Sequence, residues 1–259
     1  MSYEFVEGDT IEGPNGETLQ RIRYTGLVDL PAIPGAPAVT SGDLGGYIQD
    51  LSNLDAESWV YYDAMVYDQA VVTTGARVTG TAQVYENAGL HFGALVSGNA
   101  RVHGGSHIRN NALVEGNAVV RGFAWVYVNA HVSGNAVVED QAAVFGNAAV
   151  FGDAHIFANA RVSGSAVVSG DAQVYDESQV YGSAMLTDNA RVSSLAQIYG
   201  NAVIESNGHV SGTANVCGDI IVTDNAHVYG SAILTGERTI GGTRRVYGDE
   251  LEYDAVLPE

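Results

Sequence analysis

From residue 48 to residue 246, every position whose number is divisible by six holds Val, Ile or Leu, 34 positions with no exception, insertion or deletion. Two places before each, from Ser58 to Ala232, the residue is Ala, Ser or Gly at 29 of 30 positions, and Ile220 is the exception. Gly and Asn dominate two and three places after, as in Gly98-Asn99, Gly116-Asn117, Gly134-Asn135, Gly146-Asn147 and Gly200-Asn201. The unit is therefore V-x-G-N-A-x. A period of six matches neither the helical repeat nor plain strand alternation. Within one unit, Ala and Val stand two apart and so face the same side of a short strand. Gly and Asn accept positive φ and make the turn. Three strands and three turns close a triangular coil of 18 residues, and successive coils stack as parallel strands about 4.8 Å apart. The spacing predicts an all-β solenoid of roughly eleven coils, on the order of 50 Å long. The branched residue lies in the middle of each inner wall, and the alanine lies near the corner, where a larger side chain does not fit.

This pattern resembles the hexapeptide-repeat family, whose fold is a left-handed parallel β-helix; the handedness is what the resemblance implies. The resemblance covers residues 48–246. Gly42–Ile48 reads GDLGGYI, and that lead-in followed by NAxV hexads is similar to a bacterial and phage-encoded group whose members are labelled hexapeptide transferases or left without a function. A phage setting would make the chain a virion appendage or an accessory protein that engages a host molecule.

Three segments are expected. Residues 1–47 break the pattern: EFVEGDTIEGPNGETLQRIRY reads as two strands around a turn at Pro14-Asn15-Gly16, and Pro31, Pro34 and Pro37 make an irregular link. A solenoid needs its open end covered and its strand edges blunted, so this segment is read as a cap. Residues 48–247 are the repeat. Arg238 and Arg244 fall at the small inward position, where an unpaired guanidinium does not belong, so the last turn should open or carry a capping arrangement. Residues 248–259 form an acidic tail.

Composition bounds the partners. There are 30 acidic and 11 basic residues, a net charge of −19, and every basic residue is arginine. That charge argues against nucleic acid and against an anionic membrane, since both need cationic neutralisation. The absence of lysine removes any lysine nucleophile. With one cysteine, Cys217, no internal disulfide forms. No run of eighteen apolar residues exists to span a membrane, and the first ten residues are acidic without an apolar core. The expectation is a soluble protein of a reducing cytosol, or of a virion if phage-encoded.

With an unbroken phase, numbers modulo 18 assign each outward side chain to a wall. One wall carries Leu95, Leu113, His131, Ala149, Val167, Met185, Val203 and Ile221. An apolar stripe over many coils calls for a cover. Leu95, Leu113, Val167, Met185, Val203 and Ile221 are therefore read as a homo-oligomer interface. A trimer is favoured, as the resemblance implies; the competing reading is ordinary β-branched strand propensity. A second wall carries His91, His107, Arg109, Trp125, Tyr127 and Phe145, with Phe92, Phe123 and Val128 at its corners and turns. Phe123 and Val128 replace the usual Asn and Gly. Local rule-breaking is where function is sought, and aromatics with arginine are what binding hot spots use. This wall is the candidate site for a protein or small-molecule partner, against a subunit contact or an aromatic ladder. A third wall carries Arg101, His103 and Arg121, and farther on His155, Arg191, His209, His227 and Arg245. His209 and His227 fall on successive coils, but two imidazoles without a third ligand are weak grounds for a metal.

The resemblance also implies an enzymatic alternative: an acyltransferase using acetyl or acyl coenzyme A, with a histidine general base in a cleft between subunits. By position that base would be His107, His131 or His155. The sequence lacks the inserted loop and C-terminal helix usual in such enzymes. It also lacks the three-histidine zinc signature of the related γ-carbonic anhydrases, the nearest approach being His103 with His107. No nucleophile elbow, phosphate loop or C-x-x-C is present. The expectation is a non-enzymatic structural or binding solenoid with no cofactor and no metal.

Overall fold

The structure is a computed structural model, and it describes residues 2–248. The acidic tail predicted for 248–259 lies, apart from Gly248, outside the described residues. The chain divides into two compact units, Met1–Gly146 and Asn147–Glu259. Both are β-solenoids. Among the described residues the one helical element is a 3-10 turn at Leu51–Asn53, capped by the Asp50 carboxylate.

The first unit opens with β1 (Tyr3–Glu12), β2 (Thr18–Tyr24) and β3 (Leu44–Ile48). β1 and β2 form the expected antiparallel hairpin around Gly13–Gly16, and β2 pairs antiparallel with β3. β3 then pairs in parallel with Met65–Val66 and starts the solenoid. The hairpin continues one wall of the first coil sideways, so that the β3 edge is hydrogen-bonded rather than open. Arg21 fixes it: its Nε lies 2.9 Å from Asp9, its Nη1 donates to the Gly45 carbonyl at 2.8 Å, and its guanidinium covers the Tyr47 ring.

Beyond β3 the unit is built from strands of two to four residues, each paired in parallel with a strand 18 residues away. Arg101 pairs with Val119, His107 with Trp125, and Leu113 with His131. Three such columns make three faces around one core. Every hexad residue from Val60 to Val144 is fully excluded from solvent, and so is each alanine two places before it. A valine so enclosed contributes about 1.5 kcal/mol or more. Serine takes the alanine slot twice in this run: Ser106 Oγ donates to the His103 carbonyl at 2.8 Å, whereas Ser58 Oγ is buried without a partner.

The turns explain the Gly-Asn pair. Gly98 has φ 66°, and a Cβ there would stand 3.0 Å from the nitrogen of Gly116 in the next coil. Left-handed backbone disfavours a side chain here, and the close stacking leaves little room for one. The neighbouring asparagines chain together, Asn99 Nδ2 donating to Asn117 Oδ1 and Asn117 Nδ2 to Asn135 Oδ1, each at 3.0 Å.

The second unit repeats the construction. Ala149, Val167, Met185, Val203 and Ile221 are in register on one face, and His155, Gln173, Arg191, His209, His227 and Arg245 on another. The irregular Ile220 lies within the longer strand Asp219–Val222, fully buried, and pairs with Arg238 of Glu237–Ile240. Arg238 is half-buried and Arg244 is exposed, and the strands beside them stay paired with the preceding coil, Glu237–Ile240 with Asp219–Val222 and Arg245–Tyr247 with His227–Tyr229.

Candidate functional site

The first unit carries the most chemically varied face. Its strands are Gly89–His91, His107–Arg109, Trp125–Val128 and Ala143–Gly146. The buried residues Leu90, Ile108, Val126 and Val144 turn inward. Strand alternation therefore sends both of their neighbours outward, giving two adjacent columns: Gly89, His107, Trp125 and Ala143, and beside it His91, Arg109, Tyr127 and Phe145. Gly89 leaves room for two rings, since a Cβ there would lie 2.6 Å from His91 Nε2 and 2.8 Å from His107 Nδ1.

All six side chains singled out from the sequence lie together on this face. His91 and His107 stack with ring centroids 6.0 Å apart, and His107 lies 4.7 Å from the Trp125 ring. The Arg109 guanidinium covers Trp125 at 4.7 Å, and Tyr127 stacks on Phe145 at 4.9 Å with planes 8° apart. His91 Nδ1 shares a hydrogen bond of 2.7 Å with the Thr73 hydroxyl. His107 Nδ1 and Arg109 Nε are buried without a hydrogen-bond partner. Burial holds both imidazoles below their ordinary pKa, and the Arg109 charge pushes the same way. Near neutral pH the face thus presents neutral rings around one fixed cation.

The corners are as irregular as the sequence indicates. Phe92 and Val128 hold left-handed backbone at φ 55° and 67°, a conformation that costs a β-branched residue about 1–2 kcal/mol. Phe123 is exposed and lies over Gly105, where a Cβ would meet its ring at 2.8 Å.

The predicted interface column is divided between the units. In the first, Leu95 and Leu113 are half-buried and face a cleft beside the proline-containing arm, and His131 Nε2 lies 2.9 Å from Glu115. In the second, Val167, Val203 and Ile221 are half-buried and Met185 is exposed. The cleft, about 1040 Å³ in volume, was not foreseen from the sequence.

The third wall is a set of ring ladders. His103 stacks on Tyr85 at 4.6 Å, and Arg121 pairs with Glu139. In the second unit His155 packs against Phe157 at 4.4 Å. His209 stacks on His227, and their Nε2 atoms reach the hydroxyls of Ser193 and Ser211 at 3.2 and 2.8 Å. Among the described residues no three His, Cys, Asp or Glu side chains gather as a metal site would require, and no helix is long and apolar enough to cross a membrane.

Comparison with known proteins adds one match. Residues 196–212 match the family described as YdcK Beta solenoid repeat. That stretch contains the strands Gln197–Ile198, Val203–Ile204 and His209–Val210, one from each face. No curated protein matches the chain.

Proposed function

We propose that this β-solenoid repeat protein is a non-enzymatic binding scaffold that captures a protein partner on the face formed by His91, His107, Arg109, Trp125, Tyr127 and Phe145. The observation that carries the reading is the Arg109–Trp125 pair. A guanidinium held over an exposed indole, with its own Nε and the neighbouring His107 Nδ1 buried without partners, combines the apolar area and the directional polar groups on which interface hot spots depend. The left-handed Val128 at its edge supports the same reading, because strain of this kind persists where the surroundings over-determine it. Self-association is part of the proposal and is assigned to Val167, Met185, Val203 and Ile221 on the second unit.

The test immobilises the chain and compares wild type with the Trp125→Ala/Tyr127→Ala double variant in the native lysate. A protein retained by the first and lost by the second, with unchanged circular dichroism, supports the site. Equal retention overturns it.

A coenzyme A-dependent acyltransferase is the second reading. It is favoured by the His131–Glu115 contact, in which a carboxylate orients an imidazole as it would a general base. Acetyl coenzyme A should then raise the melting temperature of the wild type and not that of His131→Gln. No rise removes this reading.

A further inference from the structure

The cleft in the first unit has a floor and a roof of different origin. The floor is one face of three successive coils, with Arg77, Leu95 and Leu113 in register. The roof is the arm after β2, which brings Leu27, Leu30 and Ile33 to the cleft. That arm is a fixed element. The Leu30 and Val39 backbones exchange two hydrogen bonds of 2.9 Å, Thr25 donates to the Ser2 carbonyl at 2.8 Å, and the Tyr24 hydroxyl donates to the Val28 carbonyl at 2.5 Å. The space between is about 1040 Å³, at the upper end of small-molecule sites, which run to roughly 1,000 Å³.

Arg77 is the anomaly. It occupies the column in which the next two coils carry leucine, and it is only 5% exposed. Its Nη1 donates to two neutral carbonyls, Glu57 at 2.7 Å and Ala76 at 3.1 Å. Its Nε is buried with no partner. Among the described residues no carboxylate forms an ion pair with it; Glu57, at the cleft, is itself exposed. A buried cation without a counter-charge is destabilising unless an anion completes it. Here the incomplete guanidinium lines an apolar cleft large enough to hold the anion's apolar body as well.

We infer that this cleft binds a small amphipathic anion, a carboxylate on an aliphatic chain, with the headgroup on Arg77 and the chain along Leu95 and Leu113 beneath Leu30 and Ile33. The site stands apart from the Trp125 face and does not depend on it. The guanidinium offers a planar pair of donors suited to a carboxylate, and the leucines supply the non-directional part of the affinity.

Dodecanoate, kept below its micelle concentration, is the probe, and titration calorimetry the readout. Wild type should bind one dodecanoate per chain. Dodecanol and dodecyltrimethylammonium should bind at least tenfold more weakly. Arg77→Met should weaken dodecanoate at least tenfold. Because Arg77→Met also removes the bonds to the Glu57 and Ala76 carbonyls, Leu113→Glu serves as a second variant: it leaves Arg77 and the inner core intact and should abolish binding by charge and bulk. Failure of dodecanoate to bind wild type overturns the inference, as does binding of equal strength to Arg77→Met or by dodecanol. Conversion of an oligomer to a monomer by Leu113→Glu, with no dodecanoate bound by wild type, assigns the cleft to a second copy of the chain and overturns it too.

Discussion

The imidazoles of His209 and His227 lie face to face, with centroids 4.3 Å apart and planes 1° from parallel. Burial, the His227 ring and Arg191 together hold His209 down to about 4. An unfolded chain takes that proton near the ordinary value of 6.5, whereas the folded one does not until about pH 4. The stability linked to His209 is therefore complete above pH 6.5 and declines as pH falls between those limits. Allowing for the ring's partial contact with water, the loss is about 1 kcal/mol. Urea unfolding of wild type at pH 7 and pH 5 should show a larger drop than that of His209→Gln, and equal drops would contradict the stack.

The two tryptophans report on different environments, Trp59 at 1% exposure and Trp125 at 36%. In a Trp59→Phe background, emission comes from Trp125 alone. Protonated imidazole quenches indole, and His107 is in contact with that ring. Emission should fall on acidification with a midpoint below 6.5, because burial and Arg109 disfavour the imidazolium. His107→Gln should flatten the curve.

Val128 offers a test of backbone strain. Its φ of 67° suits glycine, and Val128→Gly should stabilise the fold by about 0.5–1 kcal/mol, the relief of strain being reduced by glycine's extra unfolded freedom. A thermal melt reads the sign directly. Destabilisation would mean that the valine side chain packs against the face more than its backbone costs.

The alanine slot should show strong asymmetry. Ala118 is wholly enclosed, and Ala118→Leu should destabilise by about 1–3 kcal/mol or prevent folding. Ser106→Ala restores the commoner residue and removes the hydroxyl that donates to the His103 carbonyl; the change should cost no more than about 1 kcal/mol, the net worth of one ordinary hydrogen bond. Chemical denaturation of the two variants against wild type gives both values.

Asn117 is the middle of a three-residue amide chain, donating to Asn135 and accepting from Asn99. Asn117→Ala removes both bonds and should cost about 1 kcal/mol at this exposed position, whereas Asn117→Asp keeps the acceptor and loses the donor. Melting temperatures in the order wild type, Asp, Ala would match the geometry.

The repeat was legible because its information is local and periodic. Val84, Val102 and Val120 each repeat the same instruction, and all are fully buried. The hairpin was legible from Pro14-Asn15-Gly16. The six residues of the Trp125 face were legible as neighbours because an unbroken phase turns residue numbers into positions. The contacts among them were not, since the swing of Arg109 onto Trp125 is a matter of rotamers. The role of Arg77 was not legible for a different reason. Its column could be counted, but the arm of Leu27–Pro34 that roofs it follows no period, and its path is set by tertiary bonds such as Tyr61 Oη to the Pro37 carbonyl. The one signal available was a cation standing in a column whose next two coils carry leucine. His103 and Arg121 likewise gave no hint of their ring and carboxylate partners on adjacent coils.

Because Gly98 meets Gly116 and Asn99 meets Asn117 at a separation of 18 residues, the length of each unit is quantised. Excising residues 97–114 would close the gap with every remaining column still in phase, while removing three residues there would rotate all that follows and put valine into water. Such a gene can grow or shrink by duplication and loss of whole coils, and single-codon insertions are the changes it should tolerate least.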